Sequence, residues 1–171
     1  MTEKYILSIK ADDRPGLIHL VAGMINRKLI PIESLTAAKT DDRTVVMITI
    51  ELVISEKALQ PLVLKLENII EVYAVDAVKA SEAIVQRCAF FKLSKSFLET
   101  PQVRILQRYG TSIINLYPDA IVIGKFGCDV DIRNLYNQLE GPHLLGFIQT
   151  GPIADTLLID NDESSVISRA A

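Results

Sequence analysis

Two aspartates, an arginine, a proline and a glycine stand together at Asp12–Gly16, directly before an apolar run with helical spacing. Such a loop could hold an anion. The first turn of a helix leaves N–H groups without intrahelical partners, and the helix dipole favours negative charge there. A free amino acid would suit the place: its carboxylate would face the helix and its ammonium an aspartate. Gly16 would let it approach the backbone closely. The same residues also read as a plain helix start, with Asp13 as the cap and Pro15 in the first turn.

Other chemistry-bearing residues are dispersed. His19 and His143 lie far apart, and neither stands near a cysteine or acid at metal-ligand spacing. His19 is expected to be a partly exposed surface residue. There is no G-x-S-x-G, no phosphate loop with its lysine and no G-x-G-x-x-G. Asp41 and Asp42 read as a hairpin turn, and Asp160, Asp162 and Glu163 as a solvated polar stretch rather than a cation site. Cys88 and Cys128 are expected as reduced, partly buried thiols, with a disulfide as the other reading. No constellation supports an enzyme acting alone. A net charge of −3 argues against nucleic acid as a partner. Tyr5 and Tyr73 lack the aromatic run of an RNA-binding sheet. The apolar runs are too short for a membrane span, and the start lacks a signal-peptide pattern, so a cytoplasmic protein is expected.

The elements that position these residues follow from periodicity. With 49% hydrophobic residues the chain can fill a core. Residues 4–12 alternate as a strand, and Leu17, Leu20, Val21, Met24 and Ile25 mark a helix over 15–29. Gly23 within it suggests close packing of helix on sheet. Residues 32–39 and 45–52 form a hairpin about the turn at Thr40–Arg43. Ser55 can cap a second helix, in which Pro61 requires a late start or a kink. Residues 71–78 make a fourth strand, completing β-α-β-β-α-β. The second half repeats that order: a strand at 83–93 and a helix at 100–110 with Thr100 as cap. Two strands follow around Pro118-Asp119, then a helix capped by Asp129 and a strand at 144–151. The fold class is α+β, two ferredoxin-like units in tandem: residues 1–80, residues 81–160 and a flexible tail at 161–171. Sheets covered on one face leave the other open, and apolar residues there would need a partner surface.

The stretch "ADDRPGLIHLVAGMINRK" resembles the D-x-P-G-x-L entry of ACT domains, small-molecule-sensing modules of this same element order. Residues 6–42, which include Ile32-Glu33-Ser34-Leu35-Thr36, are similar to the regulatory small subunit of acetolactate synthase. "IVQRCAFFKL" in the second half resembles that family's V-x-R-E-x-x-L-x-K-I strand. The resemblance spans roughly residues 4–158. It implies an N-terminal ACT domain that dimerises side by side through a continuous sheet. Branched-chain amino acids, valine above all, would bind between the first loop of one chain and the second strand of the other. By motif the effector residues are Asp13, Gly16, Leu17, Ile18, Pro31 and Ile32. Asp13 stands where the family has Asn, Pro31 where it has the Asn of N-I-E-S-L, and Leu29 where it has a glycine. Pro31 offers only its carbonyl, so weak valine binding is expected. The resemblance further implies no active site and no cofactor in this chain. The partner would be a catalytic large subunit carrying thiamine diphosphate, magnesium and FAD. The alternative is a free-standing ACT-type amino-acid sensor acting on another enzyme.

Overall fold

The computed structural model describes residues 2–156, so the tail expected at 161–171 lies outside the described residues. Two compact units are present: residues 2–84 together with 153–156, and Val85–Pro152.

The first unit begins with β1 (Thr2–Asp12) and α1 (Leu17–Asn26). The hairpin β2 (Ile32–Lys39) and β3 (Val45–Ser55) follows, then α2 (Glu56–Glu67) and β4 (Val72–Lys79). Its sheet has the order β2-β3-β1-β4, antiparallel throughout. Alternation decides the faces. Leu7, Ile9 and Ala11 of β1 and Ile48, Ile50 and Leu52 of β3 point inward. There they meet Val21 and Ile25 of α1 and Leu62 and Leu66 of α2. The outward row is mixed: Lys4, Ser8, Thr36, Thr49, Glu51 and Asp76 stand among Ile6, Met47, Val53 and Val78. Glu51 is buried, pairs with Lys4 at 3.1 Å and accepts from Ser34 Oγ at 3.1 Å. Ser8, also buried, accepts from Thr156 Oγ1 at 2.8 Å.

Several local expectations change. Helix α1 is shorter than 15–29 and starts after Gly16, which occupies the cap position at φ 89 with no side-chain capping bond. Asp13 therefore is not the cap, and Pro15 precedes the helix. Leu17, Val21 and Ile25 are buried, but Leu20 is exposed. Gly23 does not mediate close packing within the chain, since a Cβ there would meet no atom within 4 Å. Helix α2 does start at Glu56, so exposed Pro61 lies inside it; the carbonyl one turn earlier loses its partner to solvent. Ser55 sits at the cap position but makes no capping bond. The hairpin turn forms as expected. Thr44 donates to Asp42 Oδ1 through its hydroxyl at 2.7 Å and its N–H at 2.9 Å, which holds the Asp42 carboxyl below the usual range.

In the second unit β5 (Val85–Ser94) leads through two 3-10 turns to a short α3 (Arg104–Arg108). Then come β6 (Ser112–Leu116), β7 (Ala120–Gly127), α4 (Asp129–Leu139) and β8 (Leu144–Gln149). The order β6-β7-β5-β8 repeats that of the first sheet. Ala89, Phe91, Leu93, Ile121 and Ile123 face Ile132, Leu135 and Leu139 of α4. Phe147 stacks against Phe91 and Tyr136 at 4.9 and 5.0 Å. The helix expected at 100–110 shrinks to one α turn and 3-10 pieces, because Leu106 is its only buried anchor. Asp129 is the first helical residue and not the cap; it pairs with buried Arg87. Cys88 and Cys128 are both free and half-buried. No helix among the described residues is long and apolar enough to cross a membrane.

Leu29 is 91% exposed and is the described non-glycine residue with positive φ, at 55°. A side chain in that region costs about 1 kcal/mol that glycine avoids. Leu29→Gly is expected to raise stability by roughly 0.5–1 kcal/mol, read from the urea midpoint. An unchanged or lower midpoint would show that the turn carries no strain.

Candidate functional site

The loop from Asp13 to Gly16 leaves β1 between its two neighbours and is tied to both. Asp12 N–H donates to Glu71 O at 2.8 Å, at the entry to β4, and Asp13 N–H to Thr44 O at 2.7 Å, at the entry to β3. Arg14 N–H turns back to Asp12 O at 3.0 Å. The chain then reverses at Gly16, in the left-handed conformation that only glycine adopts without strain. Gly16 also faces open space, since no atom would come within 4 Å of a Cβ placed there. The opening is a cleft of about 530 Å³ lined by Asp13–His19 and Val46.

Side chains around the cleft are charged and paired. Lys39, from the end of β2, reaches Asp13 Oδ2 at 2.7 Å. Arg14 lies 3.7 Å from Asp12 and 3.9 Å from Glu71. The Tyr73 hydroxyl donates to Asp12 Oδ1, which pushes the phenol above its ordinary value. His19 is exposed at the rim, as its place in the sequence suggests. Four expected site residues, Asp13, Gly16, Leu17 and Ile18, thus line one cleft. Pro31 and Ile32 do not. Pro31 is exposed just before β2, and half-buried Ile32 packs against the first unit's core. Nothing in the sequence assigned Lys39, Tyr73 or Glu71 to this loop. Tyr73 lies 61 residues from Asp12, and no local spacing could have paired them.

Chemically the cleft offers a carboxylate beside an ammonium, the free end of a ten-residue helix, and apolar walls from Leu17, Ile18 and Val46. That combination can hold a small zwitterion by its charged end and an apolar side chain by its walls. No group of three or more His, Cys, Asp and Glu among the described residues could hold a metal ion.

Fold and cleft together define a two-unit protein of the ferredoxin-like class, with its candidate binding loop at the first strand–helix junction. No family model matches the chain. It is 30% identical over 123 residues to the small subunit of acetolactate synthase isozyme 3 of Salmonella typhimurium, covering 71% of this chain and 76% of that one. With the acetolactate synthase small subunit of Haemophilus influenzae the identity is 26% over 151 residues, covering 87% and 93%. The crystal structure of the small subunit from Thermotoga maritima has the same fold, with a TM-score of 0.79 at 16% identity, covering 89% of this chain and 96% of that one. The chain belongs to the family of acetolactate synthase small subunits.

Two substitutions probe the loop. Gly16→Ala has room for its methyl group, so its cost is that of the backbone alone. A loss of about 1 kcal/mol in chemical unfolding is expected, and no loss would contradict the left-handed turn. Tyr73→Phe should remove from the ultraviolet titration a phenol that ionises later than a free tyrosine. A group with a raised folded pKa contributes stability below its unfolded pKa and loses it as pH rises through the folded one. The wild type should therefore lose stability relative to Tyr73→Phe only as pH climbs past the ordinary tyrosine range. Parallel stability curves across that range would count against the Asp12 contact.

Proposed function

We propose that this chain is a non-catalytic regulatory subunit of acetolactate synthase. It binds the thiamine-diphosphate-dependent catalytic subunit, raises its activity and passes on feedback from branched-chain amino acids. Family membership carries this reading, because the relatives bear the name of that small subunit along most of their length. The cofactors thiamine diphosphate, magnesium and FAD belong to the partner in this reading and not to this chain.

Side-by-side pairing of first units through β2 fits the structure. Strand β2 is an edge of its sheet, with backbone groups available for a further ladder. Beside it, α1 exposes Ile18 and Leu20 and leaves open space at Gly23, which suits close approach of a second helix. A site shared by two chains would join Asp13, Gly16, Leu17 and Ile18 of one with Pro31 and Ile32 of the other. Pro31 supplies no amide donor and Asp13 is engaged by Lys39, so valine binds weakly.

Mixing the chain with its cognate catalytic subunit should raise the rate of acetolactate formation and yield a co-eluting complex. An unchanged rate together with the absence of any complex would sink the proposal. In calorimetry, Pro31→Asn should strengthen valine binding by about tenfold, one good hydrogen bond's worth. A thermal shift from a non-branched amino acid, without any effect on acetolactate formation, would favour a free-standing sensor instead.

A further inference from the structure

The second unit repeats the backbone frame that holds the loop at Asp13–Gly16. In the first unit Asp12 N–H donates to Glu71 O at 2.8 Å and Asp13 N–H to Thr44 O at 2.7 Å. In the second, Ser94, the last residue of β5, donates through its N–H to His143 O at 2.9 Å, and Lys95 N–H to Asp119 O at 2.9 Å. His143 and Asp119 stand directly before β8 and β7, the counterparts of β4 and β3. Each loop is thus tied to the entries of both neighbouring strands.

Beside the second loop lies a cleft of about 440 Å³, against about 530 Å³ for the first. Its walls include Pro101, Gln102, Leu139, Glu140, Gly141 and His143. The two clefts match in kind. The first has a carboxylate at Asp13, an ammonium at Lys39 and open space at Gly16. The second has a carboxylate at Glu140, an imidazole at His143 and open space at Gly141, whose φ is 150° and where a Cβ would meet no atom within 4 Å. The imidazole is held in place. Ser94 Oγ lies 2.8 Å and Ser96 Oγ 3.4 Å from its Nδ1, and the Phe97 ring meets it edge-on with centroids 5.9 Å apart. With a serine hydroxyl donating to Nδ1, the neutral ring carries its proton on Nε2. Neither Nε2 nor the Glu140 carboxylate has a hydrogen-bond or ionic partner among the described residues.

That combination selects for charge. A simple carboxylate would be repelled by Glu140, and a simple amine would leave Nε2 and the Gln102 amide without an acceptor. A zwitterion satisfies both sides, and Leu139 and Pro101 offer an apolar wall.

We propose that the cleft at Glu140–His143 is a second amino-acid site, in the unit to which the regulatory reading assigns none. It takes an apolar α-amino acid, with the ammonium on Glu140 and the carboxylate on His143 Nε2 and the Gln102 amide. The amino-acid side chain lies along Leu139 and Pro101. The site stands on the second unit's own residues and rests on the proposed function only for its role as an effector site.

The chain has two histidines, and each lines one cleft: His19 the first and His143 the second. Their imidazole C–H resonances, identified with His143→Gln, report on the two clefts separately in the full chain. Titration with L-leucine at constant pH should shift the His143 resonances along a saturable curve. Glu140→Gln should weaken that response by about tenfold or more, the loss of a charge-assisted hydrogen bond, and leave the His19 response as it is. Asp13→Ala should leave the His143 response as it is. Isocaproate lacks the ammonium and L-leucinamide the carboxylate, so each should act on His143 about tenfold more weakly than L-leucine. His143 resonances that L-leucine leaves unmoved, or that respond equally in Glu140→Gln or to isocaproate, overturn the proposal. So does a His143 response that disappears with Asp13→Ala, because it then reports the first cleft at a distance. Each of these results leaves the regulatory reading intact, which fails on acetolactate formation and complex assembly instead.

Discussion

The first unit depends on β1 lying between β3 and β4. Eleven residues of β1 pair along β3, and seven pair along β4. The inward row at Tyr5, Leu7, Ile9 and Ala11 is buried throughout. A slip of one residue would move that row to the opposite face, so the apolar pattern enforces the register. Register in turn decides where the strand ends. It brings Asp12 and Asp13 to the entries of β4 and β3, whose carbonyls accept their N–H groups. The loop that turns into α1 is thereby held by backbone bonds before any side chain contributes.

The charged residues around that loop play a lesser part. Asp13–Lys39 and Arg14–Glu71 are exposed pairs, of the kind worth little to stability. Their effect is on position and charge. Lys39 neutralises the carboxylate that would otherwise repel a ligand's own carboxylate, and the cleft offers charges of both signs. Two departures from the family pattern, Leu29 and Pro31, lie outside the cleft, between α1 and β2. Leu29 keeps the backbone conformation of a glycine, and Pro31 takes an amide away from the start of β2.

Duplicated topology does not mean duplicated surface. Both sheets are antiparallel, with helices on one face; the first core is aliphatic apart from Tyr5, and the second adds Phe91 and Phe97. The outward rows differ: in the first sheet Ile6, Ser8, Thr49 and Glu51 are buried, whereas in the second Phe126 and Ile148 are largely exposed. In β1 that row reads Lys4, Ile6, Ser8, Lys10; in β5 it reads Cys88, Phe90, Lys92. Helix layers diverge too. Helix α4 buries three residues at helical spacing and stays regular, whereas the α3 region buries one and breaks into 3-10 turns.

Strand order, helix faces and the hairpin turn were legible in the residues, because each is written as a short period or a turn signal among near neighbours. So was the loop at Asp13–Gly16, whose family pattern lies within a few residues. Helix ends were less legible. Asp13 and Asp129 both have the chemistry of a cap, yet each is drawn to a cation supplied from elsewhere, Lys39 and Arg87. The Tyr73–Asp12 contact likewise depends on residues brought together by the sheet. Local sequence determines which segments are helix or strand and which side is apolar, since those follow from periodicity. Which polar side chains meet was decided by tertiary structure, because hydrogen bonds and ion pairs depend on ångström-scale placement that no spacing along the chain encodes.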